Sequence, residues 1–314
     1  MSPTSSRARR IAAIPCAALA WIAPSLAAPL AAPLAAPLGA QQVPPAVVVS
    51  GAGSSTYVLL SGLVGGVAGF RRLEERLVSA GHRVVRIDPY QLSIDSADVT
   101  FDALARRVDR VLAAQGVTSA RVVGHAHGGG VALRLAASAP RRVEAVYLLD
   151  VGAQARNRGP VLGATMKLVP VITRIPGGRG FVRGRFVKEL RRNGGRGEWL
   201  DEATQRAYTQ RVLDAIGRVI AMATRLADAE EPEPVEVALG RVHVPVVALL
   251  GEIHAPAGPT EEELTALGAL PTPALVERIA GVAHFPHEED PDAVARVLLR
   301  AAPVVIAARA GGVR

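Results

Sequence analysis

The feature that most constrains the fold is a glycine-rich turn between an apolar run and an apolar helical pattern. The run over residues 120–124 closes on Gly124 to Gly128, which read Gly-His-Ala-His-Gly. Glycine permits sharp turns and close backbone approaches that other residues resist, and residues 131–137 continue with helical, mostly apolar spacing. We therefore predict a strand, a sharp turn with Ala126 at its apex, and a buried helix.

This pattern is that of a nucleophile elbow that lacks the serine hydroxyl. A strand, the sequence Gly-x-Ser-x-Gly and a helix together lift a serine hydroxyl above a sheet. Here Ala126 occupies the position of the serine. Because alanine has no hydroxyl, the predicted turn has no nucleophile at its apex.

Further motifs follow along the chain in a fixed order. They are Leu59-Leu60-Ser61-Gly62-Leu63, Arg86-Ile87-Asp88, the turn around Ala126, Tyr147-Leu148-Leu149-Asp150, residues 244–252, and Gly281-Val282-Ala283-His284-Phe285-Pro286-His287. In this order they resemble the α/β-hydrolase superfamily, in particular its capped lipases, esterases and epoxide hydrolases, from Val58 to the C-terminus. The resemblance implies an α/β fold with a doubly wound, mostly parallel sheet and a helical cap inserted after the sixth strand.

Hydropathy patterning leads to the same fold class. Short, apolar, β-branched runs predict parallel strands buried on both faces, and helical patterns alternate with them. The predicted strands are residues 46–49, 56–60, 82–88, 120–124, 145–150, 244–251 and 275–280, and the helices are 70–79, 101–114 and 128–138.

An insertion rich in arginine and glycine interrupts this alternation at Gly152. It includes a helical stretch from Asp201, a predicted N-cap, to Leu226, and ends at the acidic linker 230–234. We predict a signal peptide and Ala-Pro-Leu spacer over 1–40, the core over 41–151 and 236–314, and a basic helical cap over 152–235.

The resemblance also assigns roles at a candidate catalytic site. It places the catalytic histidine at His284, and it predicts His287 to be a surface or helix-start residue. The usual acid position holds His254, so the acid is degenerate there. Asp150, at the end of the predicted strand 145–150, is the alternative acid or only caps the following turn, and Glu252 is a weaker substitute.

The remaining pocket residues follow from the same resemblance. The backbone amides of Leu63 and His127 are the expected oxyanion donors, and Ser61 and His125 line the same region. Ser61 is the alternative nucleophile if its hydroxyl reaches a bound carbonyl. The histidines lack the spacing of a metalloenzyme, so we expect no metal and no cofactor.

The N-terminal residues predict export. Arg7, Arg9 and Arg10 precede an uncharged stretch to Ala27, and prolines interrupt it too often for a spanning helix. Small residues place the cut after Ala27 or Ala40. The one cysteine, Cys16, falls inside this segment, which excludes disulfides and thiol chemistry from the mature chain.

Positive charge is concentrated in the predicted cap. Residues 153–199 hold eleven Lys and Arg against two Glu, a net charge of +9, compared with +8 for the whole chain. For an exported protein, anionic lipid or an envelope surface is the expected partner rather than nucleic acid. The alternative is an arginine-rich surface that is hydrated by solvent and binds no specific partner.

The sequence leaves two functions open. One is a non-catalytic, exported hydrolase-fold protein that binds an apolar or acyl-type small molecule, or a partner, in the pocket. The other is an enzyme in which His284, with Asp150, acts as a general base without an acyl-enzyme. Ordinary serine esterase or lipase activity is expected to be absent because Ala126 replaces the nucleophile.

Overall fold

The computed structural model describes residues 45–154, 168–196 and 198–310, with side chains through residue 300. The described residues all belong to one compact unit. The predicted segment 1–40 lies outside them, as do the cap residues Arg156, Arg158 and Lys167.

Seven strands form a single sheet. They are β1 (Val47–Ser50), β2 (Thr56–Leu60), β3 (Arg83–Ile87), β4 (Ala120–His125), β5 (Val143–Leu149), β6 (Val246–Gly251) and β7 (Leu275–Ile279). Their order in the sheet is β1-β3-β2-β4-β5-β6-β7, and all neighbours are parallel except β1 and β3. The predicted mostly parallel sheet is confirmed, with strand ends that shift by one or two residues.

Helices cover both faces of this sheet. They are α1 (Arg71–Ser79), α2 (Phe101–Ala114), α3 (His127–Ser138), α4 (Val169–Ile172), α5 (Gly178–Asn193), α6 (Glu202–Asp214), α7 (Ile216–Asp228), α8 (Val235–Leu239), α9 (Glu261–Ala266), α10 (Pro286–Glu289) and α11 (Pro291–Ala310). Alternate strand residues face opposite sides, so Leu60 and Val122 join one apolar cluster while Leu59 and Val123 join another. The sheet therefore has a core on each side.

The helices α4 to α8 lie between β5 and β6 in the chain, so the insertion follows the fifth strand of the described sheet and not the sixth as expected. The predicted helical stretch from Asp201 to Leu226 is wrong as one continuous element, because the backbone leaves helical geometry at Ala215. The break lets α6 bury Tyr208 while α7 buries Met222 in the sheet core. Asp201 does cap α6, and its Oδ1 accepts from the amide of Thr204 at 2.8 Å.

The carboxyl ends of the parallel strands meet at one edge of the sheet, where α/β folds bind ligands. His125 at the end of β4 pairs in register with Leu149 at the end of β5. Ala126 and Asp150 therefore leave neighbouring strands at the same level. Among the described helices, none is both long and apolar enough to cross a membrane.

Candidate active site

The turn after β4 has the geometry of a nucleophile elbow despite its alanine. Ala126 has φ 48° and ψ −127°, and among the described residues the only other non-glycine residue with positive φ is Asp150. The flanking glycines are sterically required, since a Cβ on Gly124 would lie 2.4 Å from the carbonyl oxygen of Gly128. The amide of Gly129 donates to the carbonyl of Ala126 at 2.8 Å and closes the turn. The strained apex is therefore built around a residue that carries no reactive group.

The structure brings His284 and Asp150 together. Nδ1 of His284 lies 2.9 Å from Oδ2 of Asp150, and both side chains are buried. The other carboxylate oxygen accepts from the amide of Gly251 at 3.0 Å, which fixes the carboxyl group between β5 and β6. With Nδ1 donating to the carboxylate, Nε2 of a neutral His284 is the free acceptor of the ring. This is the acid–base arrangement that orients an imidazole as a general base.

His254 and Glu252 are placed elsewhere. The side chains of both residues are exposed to solvent, and Glu252 accepts from the amide of Gly281 at 3.0 Å. Asp150 is therefore the carboxylate beside His284, and the loss of a carboxylate at His254 does not leave the imidazole without an acid.

The backbone of His284 is held on two sides. Its amide donates to the carbonyl of Asn193 at the end of α5, at 3.0 Å. Its carbonyl oxygen lies 2.7 Å from Nε2 of His125, which donates the proton. Burial holds the pKa of His125 well below its usual range, so this ring is neutral and serves as a fixed donor.

His287 lies at the start of α10, one of the two positions expected for it, and it is buried with 1% of its surface exposed, so the surface alternative is wrong. It lies in α10, where its ring packs 4.4 Å from that of His125 and 4.6 Å from that of Phe70. Burial lowers the pKa of His287 to about 3, with a smaller effect from His284. The short helix after the histidine loop faces the sheet core rather than solvent, which the acidic residues that follow in the sequence did not indicate.

Ser61 does not take the place of the missing serine. Its Oγ is buried and has no hydrogen-bond partner among the described residues, while its amide donates to the carbonyl of Ile87 at 3.1 Å. A serine nucleophile needs a base that accepts its proton, and this hydroxyl has none. The same loop carries Leu63, which is buried and whose carbonyl accepts from Arg211 at 3.0 Å.

The expected oxyanion residues flank the elbow. His127 is the first residue of α3, directly after Ala126, and its ring meets that of Tyr90 edge-on at 6.3 Å. The glycine before Leu63 faces the turn as well, since a Cβ on Gly62 would lie 3.3 Å from the Cβ of Ala126. Among the described residues, no group of three or more His, Cys, Asp or Glu side chains is placed to hold a metal ion.

Sequence reasoning missed the residues of α6 that reach this region. Arg211 is buried and forms an ion pair with Asp88, next to the carbonyl of Leu63. Tyr208 donates to Oε1 of Glu288 at 3.2 Å, and Arg72 lies 3.6 Å from the other oxygen. These contacts fasten the inserted helix to the loop after β2 and to α10. Their one signal in the sequence is a large aromatic residue within an otherwise polar helix.

Comparison with known proteins agrees with this fold. Residues 58–168 match the family described as alpha/beta hydrolase fold. The chain is 37% identical over 106 residues to "Putative carbamate hydrolase RutD" of Azorhizobium caulinodans, covering 33% of this chain and 40% of that protein. It is 30% identical over 125 residues to sn-1-specific diacylglycerol lipase ABHD11 of Mus musculus, covering 38% and 41%.

The likeness of structure extends further than that of sequence. A thermophilic esterase from Thermogutta terrifontis superposes with a TM-score of 0.62 at 19% identity, over 83% of this chain and 93% of that one. In sequence, by contrast, the chain spans about two fifths of the length of the two relatives, whose covered shares are 40% and 41%.

Proposed function

Residues 58–168 match the family described as alpha/beta hydrolase fold, and from that premise we propose that the chain binds a small ligand at a serine-less elbow without forming an acyl-enzyme. The observation that carries the proposal is Ala126, which holds the strained apex geometry with φ 48° and ψ −127°. The turn keeps the shape that presents a ligand-facing residue, while the chemistry of covalent catalysis is gone.

The magnitude of the loss supports this proposal. Removing the nucleophile of a serine hydrolase costs on the order of 10⁶ in kcat, or roughly 8 kcal/mol of barrier. Ser61 offers no replacement because its hydroxyl is buried without a base. Hydrolysis of esters through a covalent intermediate is therefore expected to be negligible.

The chemistry of the ligand is suggested by the relatives and by the turn. The two sequence relatives are named as a carbamate hydrolase and a diacylglycerol lipase, both of which are named for acyl or carbamoyl compounds. Ala126 and the buried Leu63 add apolar surface at the elbow. We expect a small molecule with an apolar portion and a carbonyl or carboxyl group.

The proposal is tested with a fluorophosphonate probe on the purified chain. We expect no labelling of the unmodified protein, and labelling of Ala126→Ser as a positive control in the same fold. Activated esters of short and long acyl chains are then assayed beside a heat-unfolded control. Stoichiometric labelling of any serine in the unmodified chain would overturn the proposal and identify another nucleophile.

A second function is favoured by one specific contact. His284 and Asp150 keep a 2.9 Å hydrogen bond, although no serine stands beside them to be activated. An imidazole oriented in this way can remove a proton directly from a bound substrate or from water. In this second function the chain is an enzyme that uses a general base without a covalent intermediate.

Proton exchange distinguishes the two functions. If His284 acts as a base, the chain exchanges α-protons of activated ketones for deuterium in D₂O, and His284→Gln abolishes the exchange. If the chain only binds, the unmodified chain and His284→Gln both leave the exchange at the uncatalysed rate, while calorimetry still detects ligand binding.

A further inference from the structure

Four large apolar side chains are exposed in the segment that runs from the N-cap of α4 to the first turn of α5. Leu168, Val171 and Ile175 each have 57% of their surface exposed, and Phe181 has 64%. They fall within fourteen consecutive residues, whereas the other exposed large apolar residues of the described chain are scattered singly or in pairs. A local group of this kind marks an interaction surface more often than chance exposure does.

Cations surround these apolar side chains. The exposed basic residues of the same segment are Arg174, Arg179, Arg183, Arg185, Lys188, Arg191, Arg192 and Arg196. On α5, Phe181, Arg185 and Lys188 follow at spacings of four and three residues, which places them on one face of the helix. We call Leu168, Val171, Ile175 and Phe181, with Arg174, Arg183, Arg185 and Lys188, the amphipathic surface.

Local structure explains some of the basic residues but not those of the amphipathic surface. Arg179 pairs with Asp214 at 2.6 Å, and Arg191 and Arg192 lie in the last turn of α5, where positive charge stabilises a helix. Across the described part of the chain, by contrast, no carboxylate lies within ion-pair distance of the four cations of the amphipathic surface. Their charge is directed to solvent and has no partner within that part of the protein.

We propose that the amphipathic surface docks on a bilayer that contains anionic lipid. Exposed Val, Leu, Ile and Phe side chains beside unpaired Arg and Lys suit the boundary between headgroups and acyl chains. There the apolar side chains are buried among acyl chains and the cations are attracted to anionic headgroups. A second copy of this chain would bring like charges together, and a nucleic acid would leave the apolar side chains without a contact. The bilayer satisfies both halves of the surface.

Docking at this surface connects to the candidate active site through α5. The helix that carries Phe181 ends at Asn193, whose carbonyl accepts from the amide of His284 at 3.0 Å. The Oδ1 of Asn193 also accepts from the amide of Ala257 at 2.8 Å. The proposed membrane contact thus includes the first turn of α5, while the last residue of α5 is hydrogen-bonded to the backbone of His284.

The test is cosedimentation of the full chain with vesicles of phosphatidylcholine alone or with 30% phosphatidylglycerol. We expect binding to the anionic vesicles and little binding to the neutral ones. Each basic residue near an anionic surface raises the membrane partition coefficient about fivefold. Loss of three such residues in the triple variant R183E/R185E/K188E should therefore weaken vesicle binding roughly 100-fold. Raising salt from 0.1 to 0.5 M should weaken the unmodified chain in the same direction.

A matched control separates position from net charge. The variant R110E/R141E/R296E changes the charge by the same amount, using exposed arginines outside the insertion that form no ion pair in the described structure. It should keep nearly all of the binding, and comparison within the full chain cancels any contribution from the N-terminal residues. Circular dichroism confirms that both variants remain folded.

The apolar half is tested by V171S/I175S/F181S. This variant should lose the vesicle binding that the unmodified chain keeps at 0.5 M salt. Its affinity for a DNA duplex should equal that of the unmodified chain. Equal losses in the two charge-reversal variants would overturn the proposal. Tighter binding to the duplex than to anionic vesicles, with no effect of the apolar variant on either, would also overturn it.

Discussion

Nδ1 of His284 lies 2.9 Å from Oδ2 of Asp150, although the two residues are 134 positions apart in the chain. Asp150 has a positive φ, as Ala126 does, and each follows one member of the β4–β5 register pair His125 and Leu149. Asp150, after β5, carries a carboxylate, whereas Ala126, after the neighbouring β4, carries only a methyl group. A carboxylate and an imidazole thus meet at this edge of the sheet, while the apex of the neighbouring turn carries no nucleophilic group.

The substitution Ala126→Ser should restore covalent reactivity. The new hydroxyl would occupy the apex of a formed elbow, and Asp150 already orients His284. We expect fluorophosphonate labelling of the introduced serine at a measurable rate, followed by gel fluorescence. Adding Asp150→Asn should slow this reaction on the order of 10⁴-fold, by analogy with loss of the acid in a catalytic triad.

The companion variant Ala126→Ser with His254→Asp tests the other acid position. Because the side chain at 254 faces solvent, this change should leave the rate of the single variant unaltered. A large gain with aspartate at 254, together with indifference to Asp150→Asn, would contradict the assignment of Asp150 as the acid.

Ala126→Gly should stabilise the protein. An alanine at φ 48° stores strain that glycine relieves, and this relief exceeds the entropic cost of glycine, so we expect a gain of about 1 kcal/mol in the free energy of unfolding. Ala221→Gly is the matched control in the exposed face of α7, where the same change should cost about 1 kcal/mol. Urea unfolding of both variants measures the difference, and two losses of similar size would refute a strained apex.

Arg211→Met should destabilise the protein strongly. The change leaves Asp88 buried without its cation, which costs on the order of 3–5 kcal/mol. Adding Asp88→Asn should recover a large part of this, since an amide oxygen can still accept from the amides of Tyr90 and Gln91.

The exposed pair on the same helix provides the comparison. Arg206→Met removes the contact with Glu202 at 2.6 Å and should cost less than about 1 kcal/mol. Calorimetric unfolding measures the stability of Arg211→Met, of Arg211→Met with Asp88→Asn, and of Arg206→Met. If the losses at 211 and 206 were equal, the buried pair would not be the fastening of α6.

Glu288 should make stability fall as the pH rises. Burial raises the pKa of this carboxyl to about 8 from an ordinary value of 4.5, so the folded state favours the protonated form. The stabilising contribution is complete below about pH 4.5 and is lost as the pH rises through about 8. Over that window the loss is on the order of 5 kcal/mol.

Glu288→Gln should flatten this slope. An amide oxygen keeps the hydrogen bond from Tyr208, and Arg72 keeps Asp201 at 2.9 Å as its acidic partner. Unfolding free energies of the two proteins are compared every pH unit from 4.5 to 9. Parallel curves would show that Glu288 does not titrate in this range.

Export is a proposal that the N-terminal residues motivate. We expect the mature chain recovered outside the cytoplasm to begin between Ala28 and Gln41, after a small-residue cut. N-terminal sequencing of that material decides the matter. Recovery there of protein that still begins at Met1 would count against cleavage.

The sequence by itself determined the fold and the chemistry that is missing. Apolar β-branched runs alternate with helical periodicity, and the glycines around Ala126 allow the tight turn between them, so the sheet and the elbow follow from local rules. The absent hydroxyl is likewise a property of one residue, and the N-cap at Asp201 was readable from its neighbours.

Only the tertiary structure decided which groups meet. Whether Asp150 meets His284 or only caps the following turn depends on how two loops from different strands pack, so the sequence left it open. The burial of His287 and the contacts of Tyr208 and Arg211 depend on where α10 and α6 settle. Such contacts join residues far apart in the chain, so no local periodicity records them, and their energy exists only when the elements are packed together.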